Sequence, residues 1–375
     1  MRKVAVFFGG KSCEHEISVL TGIFILNLLD REQFTPVPIY LHTDGGMYTS
    51  PSMYNLNVFK GKKVSEFERI FLDGGSVYAL NAKKQRIKRL TKIDVAINCC
   101  HGGLGEGGGV SALAALNEIP LASPDLTSSG VFIDKSITKL IARALNVPTV
   151  DYIRVNEKDY ERRGAFLLKS IKSRLKYPVI VKPAHLGSSI GISLANDEEE
   201  VKRALATAFT IDDRVIIEKY LANKQDVNCA AYTLDGKIII SEPELAFGEG
   251  IYTFEDKYLH RSNDHGTPLT AKGDGRRAVS GELREKIRAY TRTLYKRMNL
   301  QGSVRMDFLI SEGKAYLCEV NTVPGSLAYY LFCDRVSDAK RFLTDLLEEG
   351  IRRGKEGEKA LVTTGILQTV HWKNK

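Results

Sequence analysis

Tyr177-Pro178-Val179-Ile180-Val181-Lys182-Pro183-Ala184-His185-Leu186-Gly187-Ser188-Ser189-Ile190-Gly191-Ile192-Ser193-Leu194-Ala195 is the stretch whose reading decides the architecture. Two β-rich runs, YPVIVKP (177–183) and IGISLA (190–195), flank the small-residue loop AHLGSS. Pro183 ends the first run, because proline has no N–H to give to a ladder. Gly187, Ser188, Ser189 and Gly191 make a small, flexible loop rich in donors. A loop of this kind folds over a polyphosphate with its N–H groups turned to the oxygens, and Lys182 adds a point charge for them. The alternative is a plain glycine–serine hairpin loop. A lysine held by a proline at the end of a buried run argues against that alternative.

Upstream, short apolar runs alternate with helical patterns: VAVFF (4–8), SVLTGIFILNLL (18–29), FTPVPIYL (34–41) and DVAINCC (94–100). Strands separated by helices predict a parallel α/β sheet with crossovers. A helix over 108–120 follows, and another from Asp134 to Leu145. Downstream, DEEEVKRALATAF (197–209) reads as an amphipathic helix with an acidic first turn, as the helix dipole favours. RVIIEKYL (214–221) and VNCAAYTLDGKIIIS (227–241) read as strands, the second folded back at Asp235-Gly236. The polar stretch 248–278 reads as a lid or binding loop, since a long loop in a compact domain is usually functional. Helical patterns over 281–298 and 338–354 bracket VRMDFLI (304–310) and KAYLCEV (314–320). The expected division is 1–124, an N-terminal α/β domain, then two α+β domains over 125–217 and 218–375.

The chain has 375 residues, with 54 Lys and Arg against 45 Asp and Glu, a net charge of +9. The 43% apolar content is enough for a sizeable core. No run approaches the ~18 apolar residues of a membrane helix. The first apolar run stops at Phe8, too short for a signal-peptide core, so a cytoplasmic protein with no membrane partner is expected. The six Cys show no metal or redox spacing and read as reduced. The positive charge raises nucleic acid as a partner. Because acids are interleaved with most of the bases, that partner is not expected, and the basic run KKQRIKR (83–89) reads as a solvated face rather than a phosphate contact.

Two constellations carry chemistry. Arg305 and Asp307 share one strand face, and Glu319 and Asn321 share another, by the two-residue period. A three-residue loop around Glu312-Gly313 would set Asp307 opposite Glu319. Two carboxylates and an amide on one hairpin face are a hard-oxygen set for Mg²⁺, and like charges placed opposite one another need a cation between them; the alternative is a solvated hairpin face. Thr322-Val323-Pro324-Gly325 then turns backbone N–H groups toward a substrate. HGGLGEGGG (101–109) ends the strand DVAINCC, at the sheet edge where ligands bind; a mobile surface loop is the alternative. Glu14 sits just before a helix, where an ordinary first-turn acid is the simpler reading. Lys257-Tyr258 lies in the long polar loop. Gly10-Lys11-Ser12 lacks the first glycine of a P-loop, and no dinucleotide fingerprint is present.

Taken in order, these motifs resemble those of the D-alanine–D-alanine ligases of the ATP-grasp superfamily, from Val4 to about Leu331. FFGGKSCEHEIS, HGGLGE, Asp134-Lys135, VKPAHLGSSIGIS, EKYL, EDKYL, RMDFLI and EVNTVPG carry the likeness. The resemblance implies an ATP-grasp fold whose two α+β domains clasp the nucleotide, and a homodimer. It implies that Lys135 and Lys182 bind phosphates, with Ser189 in the covering loop. Glu218, Lys219, Tyr220 and Leu221 would line the adenine pocket and Asp226 would reach the ribose. Asp307, Glu319 and Asn321 would hold two Mg²⁺, with Mn²⁺ able to substitute. Glu14 would take the ammonium of the first amino acid, and His101 would line the substrate site. Ser188 and Tyr258 would extend a hydrogen-bonded chain to the lid, where Lys257 meets the transferred phosphate. Arg305 and the backbone at Gly325 would stabilise the oxyanion. The implied reaction converts a carboxylate to an acyl phosphate with ATP and joins it to an amine, D-alanine first among substrates, for peptidoglycan precursor synthesis.

The sequence departs from the family pattern at two places. Tyr330, followed by Leu331, stands where the family's acceptor-binding Ser-Leu is expected. Gly107-Gly108-Gly109 replaces Asp-Gly-Thr. The same chemistry with another amino-acid acceptor is therefore a second reading, and a non-catalytic nucleotide-binding homologue a third.

Overall fold

The computed structural model describes residues 1–61, 63–81, 85–246, 278–357 and 364–366. A seven-stranded sheet opens the chain: β1 (Arg2–Gly9), β2 (Phe34–Leu41), β3 (Met47–Thr49), β4 (Glu68–Asp73), β5 (Ser76–Asn81), β6 (Arg86–Lys92) and β7 (Val95–Asn98), in spatial order β6-β5-β4-β3-β2-β1-β7. The expected parallel arrangement holds for β2, β1 and β7. It stops there, because β3 to β6 continue the sheet as an antiparallel meander. β6 contains most of the described part of the basic run, and Arg86 to Arg89 are exposed. Charges on an edge strand discourage pairing with another chain, in keeping with the solvated-face reading.

β1 is buried on both faces, as a central strand of a covered sheet must be. Val4, Val6 and Phe8 face helix α1 (His15–Leu28), while Ala5 and Phe7 face α2 (Val110–Leu116). Two further helices, α3 (Leu126–Phe132) and α4 (Lys135–Ala144), lead to an antiparallel sheet of β8 (Tyr152–Asn156), β9 (Val179–Pro183), β10 (Ser193–Ala195) and β11 (Arg214–Lys219), ordered β10-β9-β11-β8. Helices α5 (Glu157–Arg174) and α6 (Glu198–Ala208) pack on it through Leu168, Ile171, Val201 and Leu205. The third sheet holds β12 (Gln225–Leu234), β13 (Lys237–Ile240), β14 (Glu244–Leu245), β15 (Val304–Ser311) and β16 (Lys314–Asn321). Helix α7 (Gly281–Arg297) covers it with Ile287, Leu294 and Tyr295.

Helix α8 (Ala339–Gly357) returns to the first sheet. Phe342, Leu343, Leu346 and Leu347 join the core formed by Val4, Val6, Phe8 and α1. Arg2 pairs with Glu348 across the same contact. Among the described residues, no helix is long and apolar enough to cross a membrane.

The β15–β16 hairpin differs from expectation in how it reaches its pairing. Glu312 and Gly313 form a two-residue turn with φ of 51° and 70°, the conformation a type I′ turn needs. Ser311 pairs with Lys314 and Phe308 with Leu317, but Asp307 pairs with Glu319. Cys318 is therefore an extra residue, a β-bulge. It lets Ala315, Leu317 and Val320 all stay in the core while Glu319 and Asn321 face away from it.

Candidate active site

Three loops meet at Glu14. The residue occupies the position before α1, yet its side chain makes no capping bond there. Instead its Oε1 accepts the hydroxyl of Ser188. Gly102 and Gly187 press against the same carboxylate: a Cβ on either would lie 2.8 Å from Oε2. Glycine is what lets these backbones come so close. Ser12 Oγ donates to the His101 carbonyl at 2.6 Å, tying the first loop to the second. His101 is buried with its Nε2 2.8 Å from Thr21 Oγ1, and burial holds its imidazole down at about 4. The ring is thus neutral at physiological pH. Glu106 accepts the Gly102 N–H at 2.8 Å and, at 3.3 Å each, the Val323 N–H and the Thr322 hydroxyl. Burial, the largest influence, pushes its carboxyl up to about 7.

Lys182, at the end of β9, and Glu218, on the neighbouring β11, form a buried ion pair at 2.7 Å. Lys139 from α4 meets the other oxygen of Glu218 at 2.8 Å. Burial alone would raise the Glu218 carboxyl, but the two lysines outweigh it and hold it well below the usual carboxylate range. Cys318 Sγ lies 3.8 Å from Lys182 Nζ, so the bulge brings β16 to the same point. Lys135 donates to the Leu186 carbonyl at 2.6 Å and lies 3.3 Å from Glu319.

On the third sheet, Arg305 grips Asp307 through two bonds of 2.7 and 2.9 Å, a fork-to-carboxylate geometry that fixes both groups. Asn321 Nδ2 donates to the same carboxylate at 3.0 Å. Arg305 Nη1 also donates to the Tyr330 hydroxyl at 3.0 Å. Tyr330 sits on the helical turn Gly325–Leu331, in which Ser326, Leu327 and Ala328 have φ of 49°, 56° and 54°. Three consecutive non-glycine residues in this region store strain, of order 1 kcal/mol or more each. Ala328 and Leu331 are buried against Ala230, and Ser303 donates to the Leu327 carbonyl at 2.6 Å.

Half of the expected residues meet one another: Glu14 with Ser188, Lys135 with Glu319, Lys182 with Glu218, and Arg305 with Asp307 and Tyr330, Asn321 joining at Asp307. Leu331 is buried in the small cluster with Ala230 and Ala328. Lys219 is exposed, Tyr220 and Leu221 are half-buried, and Ser189 has a φ of 61°. Asp226, half-buried on β12, pairs with Lys224. Lys257 and Tyr258 lie outside the described residues. Lys139 went unnoticed in the sequence, although it stands four residues after Lys135 on one helix face.

Family models of the D-ala D-ala ligase N-terminus and C-terminus match residues 3–124 and 141–351. A D-alanine–D-alanine ligase of Thermosipho africanus is 32% identical over 88% of this chain and 88% of its own length. That of Thermosipho melanesiensis is 28% identical over 98% of this chain and 99% of its own. The crystal structure of the Helicobacter pylori enzyme superposes with a TM-score of 0.73 at 27% identity, covering 94% of this chain and 98% of the other. The three-sheet architecture is thus the ATP-grasp fold, and the chain, an ATP-dependent ligase that forms C–N bonds for peptidoglycan precursor synthesis, belongs to the D-alanine–D-alanine ligase family.

Proposed function

We propose that this site joins two D-alanine molecules, with the residues described above in the following roles. The observation that carries the reading is the convergence of two lysines from separate elements, Lys135 and Lys182, on the edge of the Asp307–Glu319–Asn321 face. Glu14 takes the ammonium of the first D-alanine; the neutral His101 adds no competing charge there. Lys182 and Lys135 draw the phosphates to the carboxylate of that amino acid, and Ser189 sits in the loop that covers them. Glu218, Lys219, Tyr220 and Leu221 border the adenine, with Asp226 toward the ribose.

Asp307 and Glu319 face each other across the hairpin, and Asn321 adjoins them. Two carboxylates and an amide oxygen suit Mg²⁺ or Mn²⁺, and these residues would hold the ions. A bound ion neutralises charge on the transferring phosphoryl group. Arg305, held in orientation by Asp307, and the Gly325 N–H have the role of stabilising the oxyanion formed when the second amine attacks the acyl phosphate; such a donor is worth ~10²–10³ in rate. Ser188 relays the position of Glu14 toward Tyr258, and Lys257 contributes a cation from the same segment. His101, Tyr330 and Leu331 define the acceptor side, Leu331 by fixing the turn. The reading divides the chain at 124 and 217 and places the enzyme in the cytoplasm as a homodimer, which sedimentation velocity tests.

Phosphate release from Mg·ATP against a panel of D- and L-amino acids, with mass spectrometry of the products, tests the substrate. D-alanine alone should give release and the dipeptide. Arg305→Ala and Asp307→Asn should each abolish that release; full turnover in both would sink the assignment of the site. A second acceptor is favoured by one observation: the Tyr330 hydroxyl, bulkier than serine, is engaged by Arg305 at 3.0 Å. Release only with another amino acid would establish that reading instead.

A further inference from the structure

His185 lies outside every role given above, yet it stands at the root of the loop that carries Ser188 and Ser189. Its backbone N–H donates to Asp212 Oδ2 at 2.8 Å, and its Nδ1 is 2.9 Å from Asp212 Oδ1. Its Nε2 is 3.5 Å from Asp134 Oδ2. Both carboxylates are almost wholly buried, while the ring is about one-third exposed. Asp134 also caps α4 through the Ser136 and Ile137 N–H groups, and it pairs with Arg214. Arg214 Nη1 lies 3.4 Å from His185 Nε2, so the two cations share Asp134. Lys135 N–H donates to the Ala184 carbonyl at 3.0 Å. The cluster therefore joins three things: the loop root, the N-terminus of the helix bearing Lys135 and Lys139, and the start of β11.

Asp212, His185 and the exposed Asp213 also lie within metal-ligand reach of one another. The buried charges are already balanced, however: two carboxylates against one imidazolium and one guanidinium. The cluster is a closed electrostatic clamp rather than a cation site.

We propose that His185 is a positioning residue for ATP: clamped between Asp212 and Asp134, its imidazolium fixes the phosphate-covering loop to the lysine-bearing helix and so sets nucleotide affinity, not the bond-forming step. The proposal rests on the reading that the Gly187–Gly191 loop covers the nucleotide. Hydrogen bonds to Asp134 and Asp212 outweigh burial and raise the ring to about 9. The ring is charged at neutral pH, and the clamp weakens as pH rises through that value. The charged groups facing it are Asp134, Asp212, Asp213 and Arg214.

The test compares wild type, His185→Gln, His185→Arg and Asp212→Asn in steady-state ligation and in direct titration with Mg·AMP-PNP, with folding checked by circular dichroism and melting. His185→Gln should raise KM for ATP and the AMP-PNP Kd by about 3- to 30-fold, with kcat at saturating ATP and KM for the amino acid nearly unchanged. His185→Arg, which keeps the cation, should recover most of the affinity. Combining His185→Gln with Asp212→Asn should cost little more than either alone, since both open one clamp. In wild type, KM for ATP should climb between pH 8 and 10, and the rise should flatten in His185→Gln. Wild-type nucleotide affinity in His185→Gln, or a lowered kcat with unchanged affinity, would overturn the proposal while leaving the ligase reading intact. Failure of wild type itself to bind AMP-PNP would overturn the nucleotide reading and this proposal with it.

Discussion

Single side chains decide the chemistry through their burial. Lys139, Lys182 and Glu218 form a buried triad in which the carboxylate is shared by two ammonium groups. Glu218 is the counter-charge of both, so removing it strands two buried cations without their shared carboxylate, and breaking a buried pair in this way costs about 3–5 kcal/mol. Glu218→Gln should lower the unfolding free energy by that order in urea titrations, and Lys139→Met combined with Glu218→Gln should lose less than the two single effects added, because it removes one of the two stranded cations. Glu106 gives a second case, with a sign fixed by linkage. Its carboxyl is raised from 4.5 to about 7 in the folded protein, so between those values the native state holds more protons than the unfolded one. Stability from this group is complete below pH 4.5 and is lost as pH rises through 7, at up to ~1.4 kcal/mol per pH unit. Relative to Glu106→Gln, wild type should therefore weaken from pH 5 to 7 and level off above it. Neither Lys139 nor Glu106 announced its place in the sequence, because a charged residue reads as surface until a partner from a distant segment is found. For Glu106 that partner lies 216 residues away.

At the scale of elements, the sequence was most legible where one period dominates. VAVFF, RVIIEKYL and DEEEVKRALATAF became β1, β11 and α6 with small changes at their ends. The β15–β16 hairpin was legible in outcome but not in construction: Asp307 does oppose Glu319, yet through a two-residue turn plus the Cys318 bulge. Hydrophobic alternation does not reveal a bulge, because its extra residue only shifts the phase. The meander β3–β6 escaped notice for a related reason. RIKRLTK carries charge on both faces, so an exposed edge strand shows no alternation. Helix α5 was hidden by its charged sequence and the internal Gly164. The strained turn at 326–328 yields a prediction of its own. Ser326 has a φ of 49°, where glycine avoids the steric cost, so Ser326→Gly should raise stability by about 1 kcal/mol, read as a higher melting temperature.

The whole molecule is tied together by α8, which closes the core of a sheet formed by the first hundred residues. Leu343→Ala or Leu346→Ala should cost about 2–5 kcal/mol, and the loss should appear in a single transition that reports on the N-terminal sheet as well as on the C-terminal helix. A chain ending at residue 338 should not retain a cooperatively folded first sheet, a result readable by hydrogen exchange of β1 amides. The same contact sets a timetable for synthesis. Arg2 and Glu348 are 346 positions apart. At roughly 5–20 residues per second, β1 leaves the ribosome on the order of half a minute before the helix that covers it. In that interval Val4, Val6 and Phe8 stay partly open to water and to other chains. β1 needs protection until α8 has emerged, so codon choice and chaperone supply act on the yield of this enzyme before any substrate does.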